Sequence, residues 1–517
     1  MGRNRKQRDD GGGRVPPGED PWGRSRAPEG RGDGDGPADR DADDGPEDPL
    51  DDDEPRDAPR RRGATRDGDA RRNDGLRDPL DDLPADERPT VVPAEDFPRK
   101  HVHQDALRVI SRLRRKDFEA YLVGGCVRDL LLGRTPKDFD IATEATPRNI
   151  RRLFRNARVI GRRFKLAHIY YGDHILETST FRAAPRPGDN GDDEDLLITD
   201  DNAFGSAAED ARRRDFTING LFLDPLEWRI LDWVDGLPDI EAGLLRTIGD
   251  PHVRMAEDPV RILRAIKFAT RLGFRIHDDT WDAMCAASGE LARAAPPRVL
   301  EEIMRLCTSG TALGAFRMLR ACGALRVLLP AVDAYIGPRD DPDPAAHDRA
   351  DSYWRLLEAL DADVHAGREP SRALCLAAIW LRVVEREADP ETRTLPGDPG
   401  DLFDTVGEVL EPLVQDSRLP RRTFITARRM IVDQGRFQKP PGGDPRALVF
   451  TTTDGFAEAL NLYRLRSAAW GQGWAMYEAW TDARDEMDSA SPGEVAALRK
   501  KGRRRRSRRP RRRRSRS

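Results

Sequence analysis

Val123–Thr143 reads VGGCVRDLLLGRTPKDFDIAT: a strand end, a glycine pair, a basic helix start and two aspartates one residue apart. Gly124 and Gly125 fall where the apolar run Ala120–Val123 gives way to a helical pattern, and a missing Cβ there lets backbone approach a ligand closely. The helix start beyond them points unpaired N–H groups into the same space, which favours an anion. Arg128 adds a guanidinium fork suited to phosphate oxygens. Side chains alternate along a strand, so Asp138 and Asp140 share one face while Phe139 and Ile141 share the other. The apolar pair can anchor in a core while the carboxylates project together, offering the oxygen donors that suit Mg²⁺. Taken singly, these are a tight turn, a surface arginine and a solvated strand face. In this order within 17 residues they form a grip for a nucleoside triphosphate and its metal.

The surrounding pattern predicts mixed structure first and helices later. A helix is expected over 104–116, strands over 120–123 and 139–143, and a helix over 147–155 with Thr146 as N-cap and Pro147 at its first position. Further strands are expected at 167–171 and 175–181, and an acidic Gly/Pro-rich loop around 184–198. From about residue 255 the pattern is helical, with apolar helices at 295–308, 311–330, 352–364 and 371–386. The fold class is therefore α+β: a small mixed sheet with helices, then an all-α second half.

The 517 residues carry 35% charged side chains and a mean hydropathy of -0.71, and the excess is terminal. Residues 1–98, dense in Asp, Arg, Gly and Pro, hold too little apolar surface to offset chain ordering and are expected to be disordered. Arg499–Ser517 holds 14 Lys or Arg among 19 residues and no acid, so a net charge of -4 hides -18 on the remainder. Such an arm binds RNA or another polyanion through phosphates without choosing a sequence. The five cysteines form no CxxC pair and sit at no zinc-ligand spacing beside a histidine, which predicts a reduced, cytoplasmic protein. No apolar leader or membrane span is expected.

Three strings together resemble one family. LVGGCVRDLLLGRTPKDFDIAT, then RRRDFTINGL over Arg212–Leu221, then AEDPVRILRAIKFA over Ala256–Ala269 are similar to the class II nucleotidyltransferases of the DNA-polymerase-beta superfamily. That branch contains bacterial poly(A) polymerases and tRNA CCA-adding enzymes, and the resemblance covers roughly 101–330. It implies a nucleotidyltransferase head at 99–245, a neck with a base-reading helix at 246–310, and a helical RNA-binding body at 311–485. The charged stretch 1–98 and the arginine-rich 486–517 would flank them as disordered tails. The implied reaction is Mg²⁺-dependent, template-independent addition of nucleotides to RNA 3′ ends, with ATP as substrate, pyrophosphate released and the RNA marked for decay.

The same resemblance implies the site residues. Asp138 and Asp140 would be catalytic metal ligands, and Gly124, Gly125 and Arg128 would hold the triphosphate. Asp215 is the third catalytic carboxylate by family match, with Arg214 beside it on the nucleotide. It would complete the metal site or hold the ribose; the competing reading is an ion pair with a neighbouring arginine, and Glu177 rivals it for the third position. Asp258 precedes Pro259 and so reads as a helix cap, yet it projects onto the helix sector of Ile262, Ala265 and Ala269. In the resembled family Asp258 and Arg261 would present hydrogen-bonding edges to the incoming base.

Other residues carry less. His101 and His103 lack a third ligand nearby, and Trp380, Trp470, Trp474 and Trp480 read first as helical core. Poly(A) addition is favoured over CCA addition by Gly161–Gly172, by Asp201–Pro225 and by the basic C-terminus. CCA- or A-adding transfer to tRNA, and an inactive RNA-binding protein, remain the alternatives.

Overall fold

The computed structural model describes residues 80, 83–85, 87–94, 97–161, 166–172, 174–183, 203–338, 340–388, 402–410 and 419–507, the last six by backbone alone. Residues 1–74 lie outside the described residues. So do the whole of the expected acidic loop at 184–198 and the end of the arginine-rich segment.

The head is an eight-stranded mixed sheet in the order β1-β8-β7-β2-β3-β6-β5-β4. Its strands are β1 (Thr90–Pro93), β2 (Ala120–Val123), β3 (Ile141–Thr143), β4 (Ala157–Ile160), β5 (Leu166–Tyr171), β6 (His174–Thr180), β7 (Leu221–Asp224) and β8 (Arg229–Asp232). Every pairing is antiparallel except β3 with β6. Alternation along β2 divides the two faces. Ala120 and Leu122 join the core formed with α1 (Gln104–Arg114), α2 (Gly125–Leu131) and α3 (Pro147–Leu153), while Tyr121 and Val123 join a smaller core with α4 (Ala207–Arg212). The expected cap of α3 is present: the Thr146 hydroxyl accepts from the Asn149 N–H.

Two local expectations are corrected. Strand β1 lies inside the stretch read as a featureless tail; it pairs with β8 from Thr90 opposite Asp232 to Pro93 opposite Arg229. The Glu87 carbonyl also accepts from the Trp233 indole, so this strap is held by backbone groups that composition does not report. The helix expected over 311–330 is broken into α10 (Ala312–Ala321) and α11 (Ala324–Leu328), because Gly323 turns the chain with φ +82.

The neck contains α5 (Gly236–Glu241), the strand pair β9 (Leu244–Leu245) and β10 (Arg275–Ile276), α6 (Pro251–Glu257), α7 (Val260–Leu272), α8 (Asp278–Ala286) and α9 (Pro296–Cys307). Long helices α13 (Pro344–His365) and α14 (Arg372–Ala388) follow α12 (Pro330–Ile336), then α15 (402–410), α16 (Arg421–Asp433), α17 (Pro445–Thr451), α18 (Phe456–Trp470), α19 (Trp474–Ser489) and α20 (Pro492–Ser507). One apolar core runs from Phe216 and Ile218 at the head through α7 and α9 into α14 and α18, so neck and body share their packing. Helix α20 extends into the segment read as a disordered tail and rests on the body, where Arg499 donates to Thr452. Trp380 and Trp480 are core as expected, whereas Trp474 is exposed. Among the described residues no helix is long and apolar enough to cross a membrane.

Candidate active site

Asp138 and Asp140 stand just ahead of β3, exposed, with Phe139 and Ile141 buried between and beyond them as alternation requires. The register of the one parallel pair of the head sheet, Ile141 opposite Thr178, sets Asp140 beside Glu177. Among the described residues the carboxylates of Asp138 and Asp140 have no hydrogen-bond or ion-pair partner. Shielding by surrounding protein, then the charge of Glu177, with a smaller push from Asp138 and opposed by Arg214, raises the Asp140 carboxyl to about 6. Mutually repelling, unpartnered oxygen donors fit a hard divalent cation. No cluster of three or more metal-ligating side chains occurs among the described residues, so phosphates and water would have to complete such a site.

The glycine pair divides in its duties. Gly124 has φ +73, and a Cβ there would lie 2.9 Å from Nη1 of Arg214, so both backbone and packing demand glycine. Gly125 opens α2 and has ordinary room for a Cβ, 3.6 Å from the Arg128 guanidinium. Arg128 is buried and committed: it donates to Asp129 through Nε and Nη2, and to Asn219 through Nη1 at 2.6 Å. Arg214 donates to Asp210 at 2.8 Å and lies over the Phe222 ring. Arg213 is lowered to about 9, first by burial and then by the charges of Arg182, Arg214, Arg254 and Arg261. Five guanidinium groups close enough to repel one another make this corner attractive to a polyanion.

Asp215 lines the cleft with its lone pairs committed. Its Oδ2 accepts from Arg264 Nε and Nη2 at 2.8 and 2.6 Å, and its Oδ1 from the Phe216 N–H and the Asn219 amide. Burial alone would raise its pKa, but Arg264 and the other donors hold it at about 2. The ion pair is present, and its partner is 49 residues away in α7 rather than next in sequence.

Asp258 lies outside the helix whose face it was expected to share, since α7 starts at Val260 and Asp258 is extended. It accepts from the Val260 N–H at 3.3 Å, a capping contact, and both its oxygens accept from Arg298 of α9 at 3.2 and 2.8 Å. Arg261 is buried, donating to Glu257 at 3.0 Å and to the Arg254 carbonyl. Arg254 in turn donates to Glu257 and to the carbonyls of Arg213 and Arg214, tying the neck to the second motif.

These residues surround one cleft of about 420 Å³. It is lined by Gly124, Gly125, Arg128, Asp140, Arg214 and Asp215 from the head, and by Asp258 and Arg261 from the neck; Asp138 is not in the lining. Asn219, Arg264, Phe268 and Arg298 complete it and were not foreseen. Asn219 and Arg264 lie inside the second and third strings, four residues after Asp215 and three after Arg261, so helical spacing was an available signal for Arg264. Nothing local marks Arg298.

Residues 120–246 match the poly A polymerase head domain, 273–336 the probable RNA and SrmB-binding site of polymerase A, and 400–516 the polymerase A arginine-rich C-terminus. The chain is 34% identical over 413 residues to poly(A) polymerase I of Salmonella typhi, covering 75% of this chain and 86% of that one. It is 36% identical over 198 residues to the CCA-adding enzyme of Oceanobacillus iheyensis, covering 38% of this chain and 48% of that one. The Bacillus stearothermophilus CCA-adding enzyme in complex with CTP has the same fold, with a TM-score of 0.54 at 24% identity over 77% of this chain and 91% of that one. The longer match, through body and arginine-rich end, lies with the polyadenylating branch: the chain belongs to the poly(A) polymerase family of polynucleotide adenylyltransferases.

Proposed function

We propose that adenylate transfer from ATP to RNA 3′ ends takes place in the cleft between head and neck, with Asp138 and Asp140 as the metal-holding catalytic pair. The observation that carries this is the convergence of Gly124, Asp140 and Arg214 of the head with Asp258 and Arg261 of the neck on one cavity. Magnesium bound at the two aspartates would supply charge neutralisation on the triphosphate and a lowered pKa for the RNA 3′-hydroxyl. Glu177, whose charge acts on Asp140, adds negative charge beside the pair. Asp215 then serves to hold Arg264, since its oxygens are committed to that guanidinium, to Asn219 and to backbone.

Gly124 lets Arg214 close over the turn, and the arginine-rich corner receives the triphosphate. The base meets Asp258, an acceptor, and Arg261, a donor. An ionised carboxylate accepts from an exocyclic amino group, as in adenine or cytosine, and repels the carbonyl of guanine or uracil. RNA is held by the helical body and by the basic α20, whose phosphate contacts are independent of sequence. The same reading places the enzyme in the cytoplasm, in keeping with its five free cysteines.

Purified protein with an unstructured RNA, Mg²⁺ and each NTP in turn tests the assignment. A long ladder with ATP alone is expected. Two C residues and one A on a tRNA lacking its end would overturn it in favour of CCA addition. Asp138→Asn and Asp140→Asn are each expected to abolish extension while RNA affinity, read by fluorescence anisotropy, is kept. Normal extension by either variant would remove the aspartate pair from the chemistry.

A further inference from the structure

Apart from the cleft, the described residues line another cavity, of about 740 Å³, where the neck meets the body. Among the described residues the two share no lining residue. Its walls are apolar: Val299 and Ile303 of α9, Leu328 of α11, Tyr335 of α12, and Trp380 and Val383 of α14. Packed interiors keep few voids larger than a water molecule, and this volume lies within the roughly 300–1,000 Å³ of small-molecule pockets. Trp380 is buried, and its indole N–H has no hydrogen-bond partner among the described residues. A donor left over in an apolar wall favours an aromatic body, whose ring face accepts an N–H. Trp380, Val383 and Glu387 follow one another along one face of α14, with Arg386 at its flank. Arg386 and Glu387 both line the cavity, are exposed, and have no ion-pair partner among the described residues. The mouth therefore offers a group that only donates beside a group that only accepts.

We propose that this cavity is an effector site for a small aromatic amide. The ring occupies the apolar wall beside Trp380. The amide stays at the mouth, its carbonyl accepting from Arg386 and its N–H donating to Glu387. Charge decides the head group. A carboxylate head is drawn to Arg386 and repelled by Glu387, and an ammonium head meets the reverse. A neutral amide serves both and gives up less hydration on entry. Nucleic acid does not suit the cavity, because apolar walls leave its phosphates unpaired. The effect on catalysis passes through α9, which is common to both walls. Val299, Leu300 and Ile303 face the cavity, while Arg298 lines the cleft and Glu302 accepts from Lys267 of α7 at 2.6 Å. A ligand seated against α9 thus bears on the cleft without entering it, which makes the two sites a coupled pair.

Isothermal titration of the full chain with 4-phenylbutanamide, 4-phenylbutanoate and 4-phenylbutylamine keeps the body constant and changes the head alone. The amide is expected to bind with a Kd on the order of 0.1–1 mM, a strength set by its few atoms. The two ions should bind about fivefold more weakly. Glu387→Gln should bring the anion up toward the amide, and Arg386→Gln should do the same for the cation. Ala334→Trp, at an exposed position of the lining, should weaken the amide by roughly tenfold or more. Ala331→Trp serves if that variant folds poorly. Saturating amide should change KM for ATP in single additions by about fivefold, and Ala334→Trp should remove the response. Equal affinity for the three heads, or an ion binding best to wild type, would overturn the amide assignment. Absence of binding by all three would reduce the cavity to a packing gap and overturn the site. Amide binding with unchanged kcat and KM would overturn the effector role. Self-association in sedimentation that Ala334→Trp abolishes would give the cavity to a second copy of the chain and overturn the proposal as well. Adenylate transfer is read separately from the ATP ladder and stands in each of these cases.

Discussion

Asp215→Asn separates a carboxylate that holds the fold from one that holds a metal. In the structure the Asp215 side chain, 10% exposed, packs against Arg264, Asn219 and the Phe216 N–H. These donors hold its pKa at about 2 against an ordinary 3.8, a depression worth about 2 kcal/mol of folding free energy at neutral pH. The amide keeps the shape but not the charge, and leaves Arg264 without its partner. Breaking a fully buried pair costs about 3–5 kcal/mol, and the one-third exposure of Arg264 lets water screen part of that, so about 2–3 kcal/mol is expected. Urea denaturation followed by circular dichroism at pH 7 should show the variant less stable by that amount.

The pH dependence follows from the sign of the shift. A depressed carboxylate stabilises above its unfolded pKa and loses that contribution as pH falls through the interval between the two values. The gap between wild type and Asp215→Asn should therefore hold from pH 7 to about 5 and close between 3.8 and about 2, with closure already measurable near pH 3. Extension should fall as well, because Arg264 loses its anchor at the cleft. An unchanged urea midpoint with extension abolished would refute this account and return Asp215 to the metal. So would a stability gap that stays constant down to pH 3.

Two further substitutions follow from the same geometry. Gly124→Ala places a Cβ 2.9 Å from Arg214 in a backbone conformation with φ +73, so it should cost about 1–3 kcal/mol and raise KM for ATP. Gly125→Ala, with ordinary room, should leave the urea midpoint unchanged, and equal midpoints for the two variants would contradict the packing argument. Deleting 492–517 removes α20 and 14 basic residues, so RNA affinity should fall and log K should depend less steeply on log salt. An unchanged salt slope in anisotropy titrations would show that the tail is not the phosphate-binding arm.

Much of the head was legible because its signals are local. The cap at Thr146, the strand Ala120–Val123 and the helix at 104–114 rest on neighbouring residues, and each appears in place. Strand β1 was not legible, since its evidence is a set of backbone bonds to β8 more than 130 residues away. The β7–β8 hairpin passed unnoticed for a related reason: its strands are short, and β7 is buried throughout, with no alternation to read. Helix geometry misplaced Asp258, because the proline after it moves the helix start to Val260 and leaves the aspartate free to turn toward α9.

What the residues determined alone was the chemistry available: a glycine that must adopt positive φ, two carboxylates on one face, and guanidinium groups in short strings. These follow from bond geometry and alternation within a few residues. Only tertiary structure decided how that chemistry is divided. It paired Asp215 with Arg264, set Glu177 beside Asp140, and gave Arg298 to Asp258. Each of these links joins groups 37 to 49 residues apart. A buried or crowded charge is settled by whichever partner the packed fold brings within hydrogen-bond reach.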